Sequence, residues 1–173
     1  RRGATVVTPF ACIAADPPWA FDQRVNSASG AFHGTTSAHY QTMSIEDIRR
    51  FPLPPIADDA VLFLWRVAAM QQEALDVVKA WGFTVKSELV WRKVTKHGKR
   101  HFGMGRYVRA EHEVCLIATR GRPTILSRSI RSTFEAPVGR HSEKPEDFFQ
   151  IVEQLCAGPR LELFARRHRA NWT

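Results

Sequence analysis

The sequence predicts an α/β sheet with crossover helices, on two observations. Short apolar and β-branched runs alternate along the chain with stretches of helical period, and the first of those runs ends in Asp16-Pro17-Pro18-Trp19. Open α/β sheets set their ligand crevices at the carboxyl ends of strands, so a carboxylate there is placed for chemistry. With 173 residues, 44% of them hydrophobic, the chain is long enough for one good core and too short for two domains of ordinary size. Residues 1–173 therefore read as a single domain.

The first strand spans Phe10-Ala11-Cys12-Ile13-Ala14-Ala15, a continuous apolar run. From Ala20 to Tyr40 the chain turns to Ser, Gly, Asn, His and Thr without periodicity, which reads as a long loop able to close over a substrate. Ser44-Ile45-Glu46-Asp47 starts a short helix with a capping pattern, Asp standing where Glu or Gln is usual, and Pro52, Pro54 and Pro55 end it. Val61 to Trp65 reads as a buried strand, Ala68 to Trp81 as a helix stopped by Gly82, and Thr84 to Trp91 as the next strand. Glu113 to Thr119 and Arg131 to Phe134 are further strands. Pro145 stands in the first turn of a helix running to about Cys156, and Leu161 to Ala165 is the last strand.

Between Trp91 and Glu113 lies a segment of another kind. Arg92, Lys93, Lys96, Lys99, Arg100, Arg106 and Arg109 alternate there with His97, His101, Phe102, Tyr107 and glycines. A basic, flexible, aromatic-bearing loop suits a nucleic-acid contact, Lys96, Lys99, Arg100 and Arg106 serving the phosphates, although a solvated surface loop has the same composition. The whole chain leans the same way, since 25 Lys and Arg against 17 Asp and Glu give a net charge of +8 and a pI near 10.0. Cys12, Cys115 and Cys156 sit singly in apolar stretches without metal-ligand spacing, which reads as buried thiols in a reducing compartment and leaves no metal site in view. Arg1-Arg2 and the apolar stretch after it imitate a secretory signal, but Thr5, Thr8 and Pro9 interrupt that stretch and it leads straight into the tetrad. The opening on Arg rather than Met reads as a chain trimmed to its ordered part. No apolar run approaches the roughly 18 residues of a membrane span.

The tetrad itself points to a base. Two prolines fix φ and donate no N–H, which holds the Pro17 carbonyl stiffly outward, with the flat face of Trp19 beside it. Carboxylate, carbonyl and aromatic face together make a socket for a planar base bearing an exocyclic amine. The plainer alternative is a Pro-Pro turn with a capping Asp and a core Trp.

Further along, Tyr40-Gln41-Thr42-Met43, Leu62-Phe63-Leu64-Trp65, and Gly103-Met104-Gly105-Arg106 leading to Glu111-His112-Glu113 follow the tetrad in order. Arg140-His141-Ser142-Glu143-Lys144-Pro145-Glu146, Glu162-Leu163-Phe164-Ala165-Arg166-Arg167 and Asn171-Trp172 complete the series. In these motifs nearly the whole chain resembles the adenine-N6 methyltransferase family that includes the catalytic subunit of the eukaryotic mRNA adenosine methyltransferase and bacterial and phage relatives.

The resemblance implies a Rossmann-like methyltransferase fold, a mixed sheet flanked by helices with the catalytic tetrad early and the cofactor cradle late, using S-adenosyl-L-methionine. It implies Asp16, Pro17, Pro18 and Trp19 as the catalytic set, with the Asp16 carboxylate and the Pro17 carbonyl accepting hydrogen bonds from the target amine. It implies Asp16, Lys144, Arg166 and His168 as cofactor contacts, Lys144 at the methionine end and the other two at the ribose. Tyr40 and Trp19 would hold the base by stacking once it has left a duplex. Where such relatives carry Asn this chain has Arg169, and it runs little beyond Asn171-Trp172, so a weakened cofactor affinity is expected. The expected partner is nucleic acid, DNA ahead of RNA by analogy, with a homodimer or a related subunit alongside and no membrane. A non-catalytic nucleic-acid-binding subunit is the rival reading, and the intact tetrad and Lys144 argue against it. The expected compartment is a bacterial or phage-occupied cytoplasm, or the nucleus in a eukaryote.

Overall fold

A computed structural model describes residues 8–20, 42–105, 107–139 and 143–173. Six strands, β1 (Phe10–Ala15), β2 (Ile56–Arg66), β3 (Thr84–Val94), β4 (His112–Arg120), β5 (Thr133–Pro137) and β6 (Arg160–Leu163), form one sheet in the order β5-β3-β4-β2-β1-β6. β1 runs parallel to β2 and β6, β3 runs parallel to β5, and β4 is antiparallel to both β2 and β3. The expected mixed sheet flanked by helices is the observed one.

The period of two along β2 sorts its side chains onto two cores. Leu62 and Leu64, with Ile13 and Ala15 of β1, pack under α1 (Ile45–Arg49) and α2 (Gln71–Ala80) through Ile48, Ala74, Val77, Val78 and Trp81. Val61, Phe63 and Trp65, with Cys12 and Ala14, pack under α3 (Glu146–Leu155) through Phe148, Phe149 and Val152, and Trp172 closes that side. All three cysteines are free and buried. No helix among the described residues is long and apolar enough to cross a membrane.

The helix ends follow their sequence signals. Ser44 accepts from the Asp47 N–H at 3.1 Å and donates to its carboxylate at 2.6 Å, which caps α1. After α2, Gly82 takes φ +81, its N–H reaching the Lys79 carbonyl and that of Phe83 the Val78 carbonyl, the left-handed stop foreseen for this glycine.

The strand boundaries differ from the sequence reading in ways that matter for the site. β3 runs on to Val94, because Arg92 and Lys93 are paired across the sheet with Glu135 at 2.9 Å and Glu113 at 2.6 Å rather than lying in a loop. β2 starts at Ile56, its polar Asp58 and Asp59 engaging Arg120 and the Arg122 N–H at the far rim. β5 spans Thr133–Pro137, later than expected, since Val90 pairs with Thr133 and Val94 with Pro137. β6 stops at Leu163, where Phe164 turns to φ +63, and the tail returns to pair Thr173 with Arg160 and Glu162.

Candidate active site

Parallel β1, β2 and β6 deliver Asp16, Trp65 and Phe164 to one edge of the sheet, and antiparallel β4 brings its first residues to that same edge. A cleft of about 330 Å³ opens there, lined among others by Asp16, Trp65, Lys144, Phe149, Glu162 and Arg166, with Arg167 and Arg169 beside them. Its volume lies at the lower end of small-molecule sites, which run from about 300 to 1,000 Å³.

Lys144 is the hub. Its side chain is only 11% exposed, and its ammonium stands 2.8 Å from Asp16 Oδ2 and 3.2 Å from Glu113 Oε2, 5.1 Å from the centroid of the Trp65 ring. Glu113 in turn binds Lys93 through Oε1 at 2.6 Å. Lysine and carboxylate thus alternate in a chain of four, Lys93, Glu113, Lys144, Asp16. Burial pushes the Glu113 carboxyl up, and the ammonium groups of Lys144 and Lys93 more than offset it, holding it below the usual 4.5. Burial pushes the Lys144 ammonium down, and Asp16 and Glu113 more than offset it, holding it above the usual 10.5.

The sign of each shift sets a pH window. Glu113, depressed on folding, stabilises the fold fully above 4.5, and that contribution disappears as pH falls through its lower native value. Lys144, raised on folding, stabilises fully below 10.5 and loses its contribution as pH rises through its higher native value. Thermal melting across pH is expected to show a plateau between these limits, with Glu113→Gln flattening the acid limb. An acid limb identical in that variant would remove Glu113 from the linkage.

The tetrad is clamped more tightly than its sequence suggests. The Pro17 carbonyl, expected to stand free, accepts the Trp19 N–H at 2.8 Å, and the Pro18 carbonyl accepts that of Met43 at 2.9 Å. A carbonyl oxygen has two lone pairs, so Pro17 retains capacity for a second donor. Trp19 does not present an open face. It is 6% exposed in the core beside Ile48 and Ile13, and its indole N–H donates to the Trp65 carbonyl at 3.0 Å. A bulky indole flanked by apolar helix residues is more stable inside, and from there it ties the tetrad to the end of β2. Trp19 is thus a core anchor rather than a stacking platform for the base.

Of the expected cofactor contacts, Asp16, Lys144 and Arg166 line the cleft, whereas His168 is exposed and does not. Its neighbours Arg167 and Arg169 line the cleft instead. Arg167 pairs with Glu143 at 3.1 Å and Glu146 at 3.2 Å. Arg169, 9% exposed, binds Glu146, lies 3.5 Å from Glu162 and stacks its guanidinium 3.4 Å over the Phe149 ring. Burial raises the Glu162 carboxyl despite the pull of Arg169. Among the expected nucleic-acid contacts, Lys96, Lys99 and Arg100 are exposed on a tight turn after β3, closed by the Thr95 N–H to the Lys99 carbonyl at 2.7 Å. Tyr40 and Arg106, and the loop expected from Ala20 to Tyr40 apart from Ala20 itself, lie outside the described residues.

Sequence reasoning passed over Glu113, Lys93, Glu162, Arg167 and Arg169 as partners in this site. A signal existed for Glu113: a carboxylate two residues into an apolar strand is costly unless something pairs with it.

The MT-A70 family profile matches residues 10–173. The chain is 32% identical to the N(6)-adenosine-methyltransferase MT-A70-like protein of Drosophila melanogaster, over 97% of this chain and 26% of the fly protein. It is 26% identical to the N(6)-adenosine-methyltransferase catalytic subunit METTL3 of Homo sapiens, over 97% of this chain and 28% of that protein. It is 27% identical to the Type II methyltransferase M.MunI of Mycoplasma sp, over 94% of this chain and 75% of that protein. The chain therefore spans about a quarter of the length of the first two relatives and three quarters of the third.

Proposed function

The chain belongs to the MT-A70 family, and on that premise we propose that residues 1–173 form one catalytic domain transferring a methyl group from S-adenosyl-L-methionine to the exocyclic N6 amine of adenine in DNA. The observation that carries this reading is Asp16 at the carboxyl end of β1, lining the cleft and held through Oδ2 by Lys144. An aniline-like amine is a poor nucleophile because its lone pair is delocalised into the ring. Acceptors on its hydrogens favour the pyramidal form that attacks and stabilise the positive charge that develops on nitrogen. The Asp16 carboxylate and the remaining lone pair of the Pro17 carbonyl are those acceptors, with Pro18 and Trp19 holding the turn that aims them.

The cleft suits the cofactor in chemistry. Trp65 and Glu162 both line it, and the buried Trp65 Nε1 is a donor without a hydrogen-bond partner, while Glu162 Oε2 has only the long 3.5 Å contact to Arg169. Lys144 is a cation for a carboxylate, Arg166 a donor and Glu162 an acceptor for ribose hydroxyls, and the Phe148 and Phe149 rings offer apolar cover. S-adenosyl-L-methionine would supply the electrophilic methyl on its sulfonium; the residues here bind, orient and exclude water.

The test is to incubate the protein with labelled S-adenosyl-L-methionine and matched DNA duplex, single-stranded DNA and RNA, and to identify the methylated nucleoside by mass spectrometry. N6-methyldeoxyadenosine is expected. Transfer to another position, or none to any of the three, overturns the reading. A second reading, RNA adenosine as substrate, is favoured by the adenosine-methyltransferase names of the fly and human relatives, and the RNA arm of the same experiment decides it. A homodimer or a related subunit supplies whatever target-binding surface this domain lacks, in a bacterial cytoplasm or a eukaryotic nucleus.

Exposed Phe102 and Tyr107, the latter 80% exposed, beside Lys96, Lys99 and Arg100 give the connection between β3 and β4 the stacking and charge that nucleic acid requires. Arg106 belongs to the same connection. Replacing Lys96, Lys99 and Arg100 together by Ala is expected to shallow the slope of log affinity against log salt by about two to three units. Anisotropy across a salt series measures it, with melting as the control for folding. An unchanged slope would reassign the phosphate contacts elsewhere.

A further inference from the structure

We propose that Lys93 is a positioning residue for methyl transfer: it holds Glu113 so that Lys144 remains shared between Glu113 and Asp16, and Asp16 remains aimed at the amine. This rests on the methyltransferase reading and adds to it a residue that touches neither substrate nor cofactor.

The antiparallel register of β3 and β4 sets Trp91 opposite Glu113 and Arg92 opposite His112, and the Lys93 N–H reaches the Glu111 carbonyl at 2.8 Å. Lys93 and Glu113 therefore leave neighbouring strands at the edge that carries Asp16, and their side chains meet at 2.6 Å. A floor of tryptophans lies beneath the cations. The Lys93 ammonium stands 5.3 Å from the Trp91 ring centroid, the Lys144 ammonium 5.1 Å from that of Trp65, and the two rings meet edge to face at 6.4 Å. Ring faces attract cations, so both lysines are drawn to these positions from below as well as by the carboxylates.

The alternation is what makes Lys93 matter. With both lysines present, Glu113 divides its two oxygens between two ammonium groups, Oε1 with Lys93 and Oε2 with Lys144. Without the Lys93 charge, the whole of the Glu113 charge faces Lys144. Lys144 stands 3.2 Å from Glu113 and 2.8 Å from Asp16, so a small movement transfers it from one carboxylate to the other. Asp16 then loses the contact that holds its Oδ2. A displacement of about 1 Å in a positioning group costs on the order of a hundredfold in rate.

The groups facing Glu113 are Lys93 from β3 and Lys144 from the segment before α3, with Asp16 behind Lys144 and Cys115 further along β4. A titration of Glu113 therefore reads the loss of the Lys93 charge directly.

The experiment compares wild type with Lys93→Met, Lys93→Gln and Lys93→Arg, following kcat, KM for the methylated nucleic acid, cofactor affinity by calorimetry, and the Glu113 carboxyl by 13C NMR, with melting as the fold control. In Lys93→Met, kcat is expected to fall between about tenfold and a hundredfold. KM should stay within about twofold, cofactor affinity should fall by less than kcat does, and the Glu113 carboxyl should titrate at higher pH. Lys93→Arg, which keeps the charge, should restore most of kcat and the low Glu113 titration. If Lys93→Met melts below the assay temperature, Lys93→Gln answers the same question with a polar neutral side chain. Wild-type kcat in a folded neutral variant, an unmoved Glu113 titration, or loss in Lys93→Arg equal to that in Lys93→Met each overturns the proposal. A wild type that methylates no nucleic acid defeats the methyltransferase reading itself, which the variants alone would not do, and takes the positioning role with it.

Discussion

Asp16→Asn is expected to slow methyl transfer by at least about a hundredfold, the scale of losing one preorganised contact to a charge that develops in the transition state. The substitution is nearly isosteric, so it isolates charge and donor pattern from shape. It acts twice. The amide offers N–H groups where the target amine needs an acceptor, and it discharges one partner of Lys144, which now stands 2.8 Å from the carboxylate. Lys144 would then settle on Glu113, its other partner at 3.2 Å, and the end of the tetrad would lose its tether to the segment before α3. Cofactor affinity should change far less than kcat, because the aromatic and arginine walls of the cleft are untouched. Single-turnover rates with saturating cofactor and substrate measure the chemical step, and a rate within a few-fold of wild type would remove Asp16 from catalysis.

The contrast between what Asp16 and Lys93 revealed in the sequence has a physical origin. Asp16 is legible because a local pattern, an apolar strand followed by two prolines, both places it and limits how it can point. The same is true of Ser44 and Gly82, whose capping roles depend on residues within one turn. Lys93 reads in the sequence as part of a basic loop because its partner is twenty residues away and on another strand. Only the order β3-β4-β2-β1 brings Glu113 between Lys93 and Lys144. Cross-strand register is a tertiary property, and a charged residue near a strand end looks like solvent exposure until its neighbour is known.

Trp19 teaches the converse. The sequence is compatible with both a stacking face and a core anchor, and what separates them is the tertiary packing around the ring. Burial against Ile48 and Ile13, together with a carbonyl at 3.0 Å for the indole N–H, settles the ring inward. Its contribution to the site is to bind the tetrad to the end of β2. Arg167 and Arg169 escaped for a related reason. Four basic residues in succession, Arg166 to Arg169, read as a charged tail, whereas after the turn at Phe164, with φ +63, Arg167 pairs with Glu143 and Glu146 at the surface and the largely buried Arg169 reaches Glu146 and Glu162.

Lys144→Ala is expected to have the widest effect of any single change, because it removes the cation shared by two half-buried carboxylates. Asp16 and Glu113 would face one another with only Lys93 left nearby, and breaking a buried ion pair from one side costs about 3 kcal/mol or more. That loss should appear as a lowered melting temperature at pH 7 that recovers partly as the pH falls, since protonating Glu113 relieves the repulsion. The direction follows from the wild type, where burial alone would raise the Glu113 carboxyl and Lys144 is the largest influence lowering it. Turnover should fall with the loss of the Asp16 tether. If Lys144 also meets the cofactor carboxylate, cofactor affinity should weaken by about 1.5–3 kcal/mol, the range for a hydrogen bond to a charged group. Calorimetry and melting separate the two roles. Weakened binding in a variant whose stability is normal would make Lys144 chiefly a cofactor ligand, whereas lost stability and turnover with unchanged cofactor affinity would make it the organiser of Asp16. Glu113→Gln supplies the second axis: combined with Lys144→Ala it should restore much of the stability by removing the repulsion, but not the turnover, because Asp16 would still lack its partner. A double variant as unstable as Lys144→Ala alone would show that the two carboxylates do not share the lysine in solution.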